Sequence, residues 1–185
     1  MRNRGKLFIV SGPSGVGKGT VCRLALERDN NVVISVSVTE RLPRAGEVDG
    51  VNYYFIDNFQ FDEMIEKDSL LEWAQYGKYR YGTPRDKVYQ ALYDGKNVIL
   101  EIDVQGGLQV KEKEPKAVLI FVMPPDFEVL QQRLRGRGTE NEEQIQTRLK
   151  RAEEELAYRD SYDYVMVNDK LDTAAEELLK IINKG

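Results

Sequence analysis

Apolar positions along this chain follow two alternating rhythms. One is the short unbroken run: residues 6 to 11 (Lys-Leu-Phe-Ile-Val-Ser), 32 to 36, 97 to 102, 117 to 122 and 163 to 167 read as strands buried on both faces. The other is helical spacing. Val21, Leu24 and Ala25 follow the first run, and Leu171, Ala174, Ala175, Leu178, Leu179 and Ile182 repeat at i, i+3, i+4, i+7 near the end. Strands alternating with helices predict a parallel, doubly wound α/β sheet.

Two stretches break the rhythm. Residues 38 to 83, rich in Arg, Gly and Tyr, predict a small lobe of loops and short amphipathic strands inserted in the sheet. Residues 131 to 151 are almost all charge. With 185 residues and neither repeats nor a Pro- or Ser-rich linker, the expectation is one domain spanning 4 to 184, with a lobe at about 37 to 84 and an arginine-rich lid at about 131 to 151.

Composition narrows the chemistry. Hydrophobic residues make up 41% and charged ones 31%, an ordinary globular balance. No apolar run approaches the ~20 residues of a membrane span, and no signal-peptide segment is recognisable, so a cytoplasmic protein without a membrane partner is expected. A net charge of −4 argues against a nucleic-acid partner. The single Cys22 excludes an internal disulfide and reads as core filler. There is no histidine, which excludes Ser-His-Asp hydrolysis and His-based zinc sites.

The sharpest signal is Gly12-Pro-Ser-Gly-Val-Gly-Lys18, the first seven positions of the P-loop pattern G-x-x-x-x-G-K-[ST], set between a buried strand and a helix. Glycines let successive N–H groups converge on an anion, the helix start adds its dipole, and Lys18 reaches terminal phosphates. ATP is the expected occupant of Gly12, Pro13, Ser14, Gly15, Val16, Gly17, Lys18, Gly19 and Thr20. Gly19 departs from the pattern, moving the hydroxyl one place on to Thr20, about 100° around the helix. Thr20 is therefore expected at the α- or β-phosphate, with Mg²⁺ held by phosphate oxygens and water. Gly-Lys-Gly-Thr is a spelling familiar from nucleoside monophosphate kinases.

Ser35-Val-Ser-Val-Thr-Glu-Arg-Leu-Pro-Arg-Ala-Gly-Glu-Val-Asp-Gly-Val-Asn-Tyr-Tyr-Phe55 resembles the guanylate kinase pattern S-x-S-x-T-T-R-x-P-R-x-G-E-x-x-G-x-x-Y-x-F. The resemblance continues through Leu71-Glu-Trp-Ala74, Tyr81-Gly-Thr-Pro84, Leu100-Glu-Ile-Asp-Val-Gln-Gly106, Arg133 to Thr139 and Val167-Asn-Asp169, and so covers essentially the whole chain. It implies ATP-dependent phosphorylation of GMP to GDP, with dGMP as a further acceptor and Mg²⁺ accompanying the ATP. It assigns Arg41, Arg44, Tyr53 and Tyr81 to the acceptor's phosphate, and Ser37, Glu72, Thr83 and Asp103 to guanine. The chemistry agrees: arginine forks fit phosphate, and carboxylates accept from guanine's N1–H and N2–H₂. Asp103 follows the apolar strand, so it can read the base, hold a bound ion, or do both through water. Glu47 is expected to brace the arginines. Glu40 stands where the family generally has Thr, and is expected to point to solvent.

Transfer to an anionic phosphate needs no general base, which accommodates the absence of histidine. Charge neutralisation falls to Lys18, Arg41, Mg²⁺ and the arginine-rich segment. The resemblance makes Arg137 and Arg148 the arginines on the transferring phosphates, and Asn168-Asp169 the loop that receives adenine; Arg133 belongs to the same segment. Two rival readings are a protein-interaction module, which typically lacks a working P-loop, and a GTPase switch, whose Asn-Lys-x-Asp is not matched by Asn168-Asp169-Lys170-Leu171-Asp172.

Overall fold

The computed structural model describes residues 4–136 and 141–184. Five strands, β1 (Leu7–Ser11), β2 (Val32–Ile34), β7 (Asn97–Glu101), β8 (Val118–Met123) and β9 (Tyr164–Val167), form a parallel sheet in the order β2-β7-β1-β8-β9. Every residue of β1 is buried, as a central strand covered on both faces requires. Phe8 and Val10 face one core with Ile99, Ile120 and Val122, closed by α1 (Lys18–Arg28) and α7 (Leu171–Lys184). Leu7 and Ile9 face the other with Leu100, Leu119 and Phe121, covered by α3 (Arg85–Tyr93) and α4 (Val104–Lys113). Cys22 is core filler, fully buried. The expected parallel α/β sheet is the observed one, with seven α-helices among the described residues.

β2 is shorter than the 32 to 36 expected. The Ser35 amide still donates to Ile99 O at 2.9 Å, but the chain then leaves the sheet for the lobe. There β3 (Val38–Thr39), β4 (Tyr54–Phe55), β5 (Leu70–Tyr76) and β6 (Tyr79–Pro84) make a second sheet, β4-β3-β6-β5, backed by α2 (Asn58–Glu66). Asp57 caps α2 reciprocally with Gln60, and Phe61 fills a small core with Val38 and Leu70.

Glu40 does not point to solvent. β3 and β6 run antiparallel with Thr39 opposite Tyr81, which places Glu40 opposite Arg80. Arg80 donates from Nε (2.8 Å) and Nη2 (2.5 Å) to Glu40 Oε2, and from its backbone N–H to Oε1 (3.0 Å), leaving the Glu40 side chain only 8% exposed. Arg80 also reaches Asp62 and stacks over Phe61 at 4.7 Å. A carboxylate follows because Arg80 would otherwise lack its main partner. Arg80→Ala is expected to destabilise the lobe by roughly 2–4 kcal/mol, since it strands a nearly buried carboxylate. The double variant Glu40→Thr/Arg80→Ala, which removes that charge, should recover part of the loss in urea unfolding. A double variant no more stable than Arg80→Ala would contradict the pairing.

The remaining helices, α5 (Phe127–Arg135) and α6 (Glu142–Leu156), pack through Leu130, Leu134, Ile145, Leu149 and Ala152. Leu156 leaves that stripe and packs on the core beside α4. Asn141 and Gln144 cap α6 reciprocally. Arg137 lies outside the described residues.

Candidate functional site

The P-loop begins where β1 ends, at the C-terminal edge of the sheet, where doubly wound folds place their ligands. Gly15 and Gly17 have φ of 89° and 94°, backbone that side chains with Cβ rarely adopt. The loop is held from behind: Val16 O accepts from Asn168 Nδ2 (2.8 Å) and from Arg133 Nη1 (3.2 Å), while Arg133 Nη2 donates to Asn168 O (2.9 Å). Arg133 thus braces two loops instead of facing the cleft. Asn168 is a buried buttress whose own N–H donates to Met123 O.

Lys18 curls back over the loop, its Nζ donating to Gly12 O (2.6 Å) and Pro13 O (3.2 Å). Desolvation lowers the pKa of this ammonium, while the carboxylates of Glu101, Glu155 and Asp103 favour its charged form. The nearest of the loop's puzzles, Gly19, also resolves here. A Cβ at that position would lie 3.0 Å from both carboxylate oxygens of Glu101, so a larger residue would push that acid aside. Thr20 is exposed at the helix start. Glu101 ends the buried strand β7, and burial raises its pKa against the pull of Lys18 and Arg23. Sequence reasoning passed over Glu101 in favour of Asp103; the signal was a single acid closing an apolar run.

A cleft of about 460 Å³ connects this loop to the lobe. Ser14 and Arg148 line one end, with Arg148 Nη2 donating to Ser14 Oγ at 2.5 Å. β5 presents Glu72, Ala74 and Tyr76 to the cleft at period two, and the end of β7 with the turn after it adds Glu101, Ile102 and Asp103. Ser37, Arg41, Arg44, Tyr53 and Tyr81 complete the wall. Of the expected acceptor residues only Thr83 is absent from the lining, and it stands directly behind Glu72, donating Oγ1–H to Oε1 at 2.6 Å.

Glu72 is 5% exposed. Burial pushes its carboxyl up to about 7, with the Thr83 bond pulling down and Asp103 pushing up. Asp103 is the N-cap of α4, its Oδ1 accepting from the Gly106 amide at 2.8 Å, and its Oδ2 accepts from Arg151 Nη2 at 3.3 Å. Its carboxylate is therefore oriented by two donors before any ligand arrives.

Arg41 is almost fully buried. Its Nη1 and Nη2 hold Glu47 as a fork, both at 2.6 Å, and its Nε donates to Tyr81 Oη at 3.2 Å. Its guanidinium lies over the rings of Tyr53 (5.0 Å) and Phe55 (5.5 Å). The Arg41 fork and the Arg44 amide hold the Glu47 carboxyl down to about 2, and the same pairing raises Arg41. Glu47 is the brace expected from the sequence. The fork it occupies is, however, the one expected to face phosphate, and the second Nη1 hydrogen goes to Leu42 O at 3.0 Å, so Arg41 offers an anion its net field and a single remaining Nη2 hydrogen. Arg44, exposed on the cleft wall, has no ion-pair partner among the described residues. Burial raises the Tyr53 hydroxyl above its ordinary pKa, which keeps it a neutral donor.

The cleft thus has a cationic, amide-rich end and, opposite it, an arginine–tyrosine cluster beside two carboxylates that accept hydrogen bonds. Such an arrangement has the chemistry to hold two anionic groups side by side and to accept hydrogen bonds from a group rich in N–H donors.

A family model described as "Guanylate kinase" matches residues 4–185. The guanylate kinase of Lactococcus lactis is 53% identical over 182 residues, which cover 98% of this chain and 89% of that protein. That of Caldanaerobacter subterraneus is 49% identical over 98% of this chain and 88% of its own. Among solved structures, the guanylate kinase of Anaplasma phagocytophilum superposes with a TM-score of 0.81 at 33% identity, covering 99% of this chain and 87% of that one. A shikimate kinase from Bacteroides thetaiotaomicron, at TM-score 0.53 and 13% identity, shares the fold alone.

Proposed function

The chain belongs to the guanylate kinase family, and on that premise we propose that its cleft transfers the terminal phosphoryl group of ATP to GMP, giving ADP and GDP. The observation that carries this reading is the single cleft shared by Ser14 and Arg148 at the P-loop and by Glu72 and Asp103 below the lobe.

ATP sits with its phosphates against the amides of residues 12 to 20. Lys18 exchanges its two carbonyl partners for phosphate oxygens, and Arg148, already at Ser14, adds positive charge where the phosphoryl group moves. GMP enters from the lobe. Arg44, Tyr53 and Tyr81 take its phosphate, with Arg41 held rigid behind them by Glu47. Glu72 and Asp103 accept from N1–H and N2–H₂ of guanine, Ser37 offers its hydroxyl as a donor, and Thr83, donating to Glu72, orients that carboxylate from behind. The acceptor phosphate is its own nucleophile, given a second pKa near ~6 by analogy with a phosphoserine monoester, so the protein need only align the two anions, shield their repulsion and exclude water.

The donor set also fits Mg²⁺ carried in on ATP. The helix start carries the exposed Thr20 hydroxyl and has the Glu101 carboxylate against Gly19, hard ligands suited to this ion, and no group of three metal-binding side chains occurs among the described residues. These two would hold Mg²⁺ through its water shell, and the ion would supply charge neutralisation between the phosphates. No helix among the described residues is long and apolar enough to cross a membrane.

The test is ADP release from ATP. It should require GMP, stop on chelation of divalent cations and return with Mg²⁺. ADP release without any monophosphate acceptor would point to hydrolysis instead.

A further inference from the structure

We infer that Arg151 is a positioning residue for the acceptor: from helix α6, whose Arg148 serves the donor end, it holds Asp103 and Tyr76 in the geometry that receives guanine. The inference rests on the reading of the cleft given above.

Arg148 and Arg151 are three residues apart and so lie on neighbouring turns of one helix face. The first reaches Ser14 in the P-loop. The second makes three contacts to three different parts of the molecule. Its Nη2 donates to Asp103 Oδ2 at 3.3 Å, its Nε donates to Glu155 Oε1 at 3.1 Å, and its guanidinium lies 4.5 Å over the ring of Tyr76 on β5. Asp103 and Tyr76 both line the cleft, on opposite sides of the junction between sheet and lobe.

Each contact has a separate consequence. Asp103 already spends Oδ1 on the α4 cap, so Arg151 fixes its other oxygen and with it the carboxylate plane. Asp103 is also a negative neighbour of Glu72, and a cation on Asp103 offsets the repulsion between the two acids that face the base. Glu155 anchors the guanidinium to its own helix, so the fork has little freedom left to lose on ligand binding. The stack on Tyr76 ties the strand bearing Glu72 to that fork. Only a planar guanidinium can meet two carboxylates in its plane and an aromatic ring on its face at once; a lysine ammonium can satisfy the charge but not the plane or the stack.

The experiment measures GMP affinity by calorimetry without ATP, together with KM for each substrate, in the wild type and in Arg151→Gln, Arg151→Lys, Tyr76→Leu and the double variant Arg151→Gln/Tyr76→Leu. Arg151→Gln should weaken GMP binding about tenfold, equivalent to ~1.4 kcal/mol, and leave KM for ATP within about twofold. Arg151→Lys should fall between it and the wild type. Tyr76→Leu should also weaken GMP, and the double variant should lose less than the product of the two single losses, because the ring and the guanidinium act as one unit. Unchanged GMP affinity in Arg151→Gln, or KM values for ATP and GMP that rise together, would overturn the inference while the functional reading stands. A wild-type protein that binds no GMP would overturn both.

Discussion

Lys18→Ala is expected to lower turnover by at least about 10³-fold while the protein stays folded and still binds GMP. Lys18 is the cation folded over the mouth of the P-loop, with Nζ 2.6 Å from Gly12 O, and nothing else in the loop can follow charge onto the transferring phosphoryl group. The fold should tolerate the change because the side chain packs against its own loop and its ammonium is poorly solvated there, which lowers its pKa. GMP binding should survive because Lys18 does not line the acceptor wall. Steady-state rates and thermal unfolding check both halves. A variant that keeps more than a tenth of wild-type turnover would remove Lys18 from the transfer step.

Glu72→Gln should do two opposite things. It should cut kcat/KM for GMP by roughly 10²–10³-fold, since an amide turns a donor toward guanine's own donors and leaves buried polar groups unmatched. It should also stabilise the ligand-free protein. Burial raises the Glu72 pKa from 4.5 to about 7, so the folded state holds the proton more tightly than the unfolded chain. Stability from this group is therefore complete below pH ~4.5, declines as pH rises through 7, and is gone above it. At pH 8 the wild type carries a buried carboxylate at a cost of up to about 3 kcal/mol, which the amide avoids. The difference in stability between the two proteins should accordingly vanish toward pH 4 and be largest above pH 7. GMP binding should tighten between pH 6 and 8 in the wild type more steeply than in Glu72→Gln, where only the phosphate of GMP still titrates. Equal stabilities at pH 8 would show that Glu72 is not held as the structure has it.

These two residues also mark what can be read from a sequence. Lys18 was legible because its loop is a local object: six preceding residues and the flanking strand and helix define it without reference to the rest of the chain. The strands β1, β7 and β8 were legible for a similar reason, their central residues being covered on both faces and therefore apolar. The roles of Glu72, Arg41 and Asp103 came from the family pattern, and their surroundings were invisible until the chain was folded. The Glu40–Arg80 pair joins residues 40 positions apart, and the two-residue strand β3 that precedes Glu40 is too short to carry a periodicity. The close approach at Gly19 comes from Glu101, at the end of a strand some eighty residues away. Arg133 and Arg151 looked alike as members of a charged helical stretch; tertiary contacts alone separate a brace of the P-loop from a guanidinium stacked at the acceptor wall.

The most direct test is ADP formation from ATP and Mg²⁺ with each nucleoside monophosphate offered in turn. Paired carboxylates facing the base predict that GMP, with dGMP behind it, is used by about 10⁴-fold in kcat/KM over AMP, CMP and UMP. Comparable turnover of AMP or UMP, or no ADP with any acceptor from folded protein, would contradict the account.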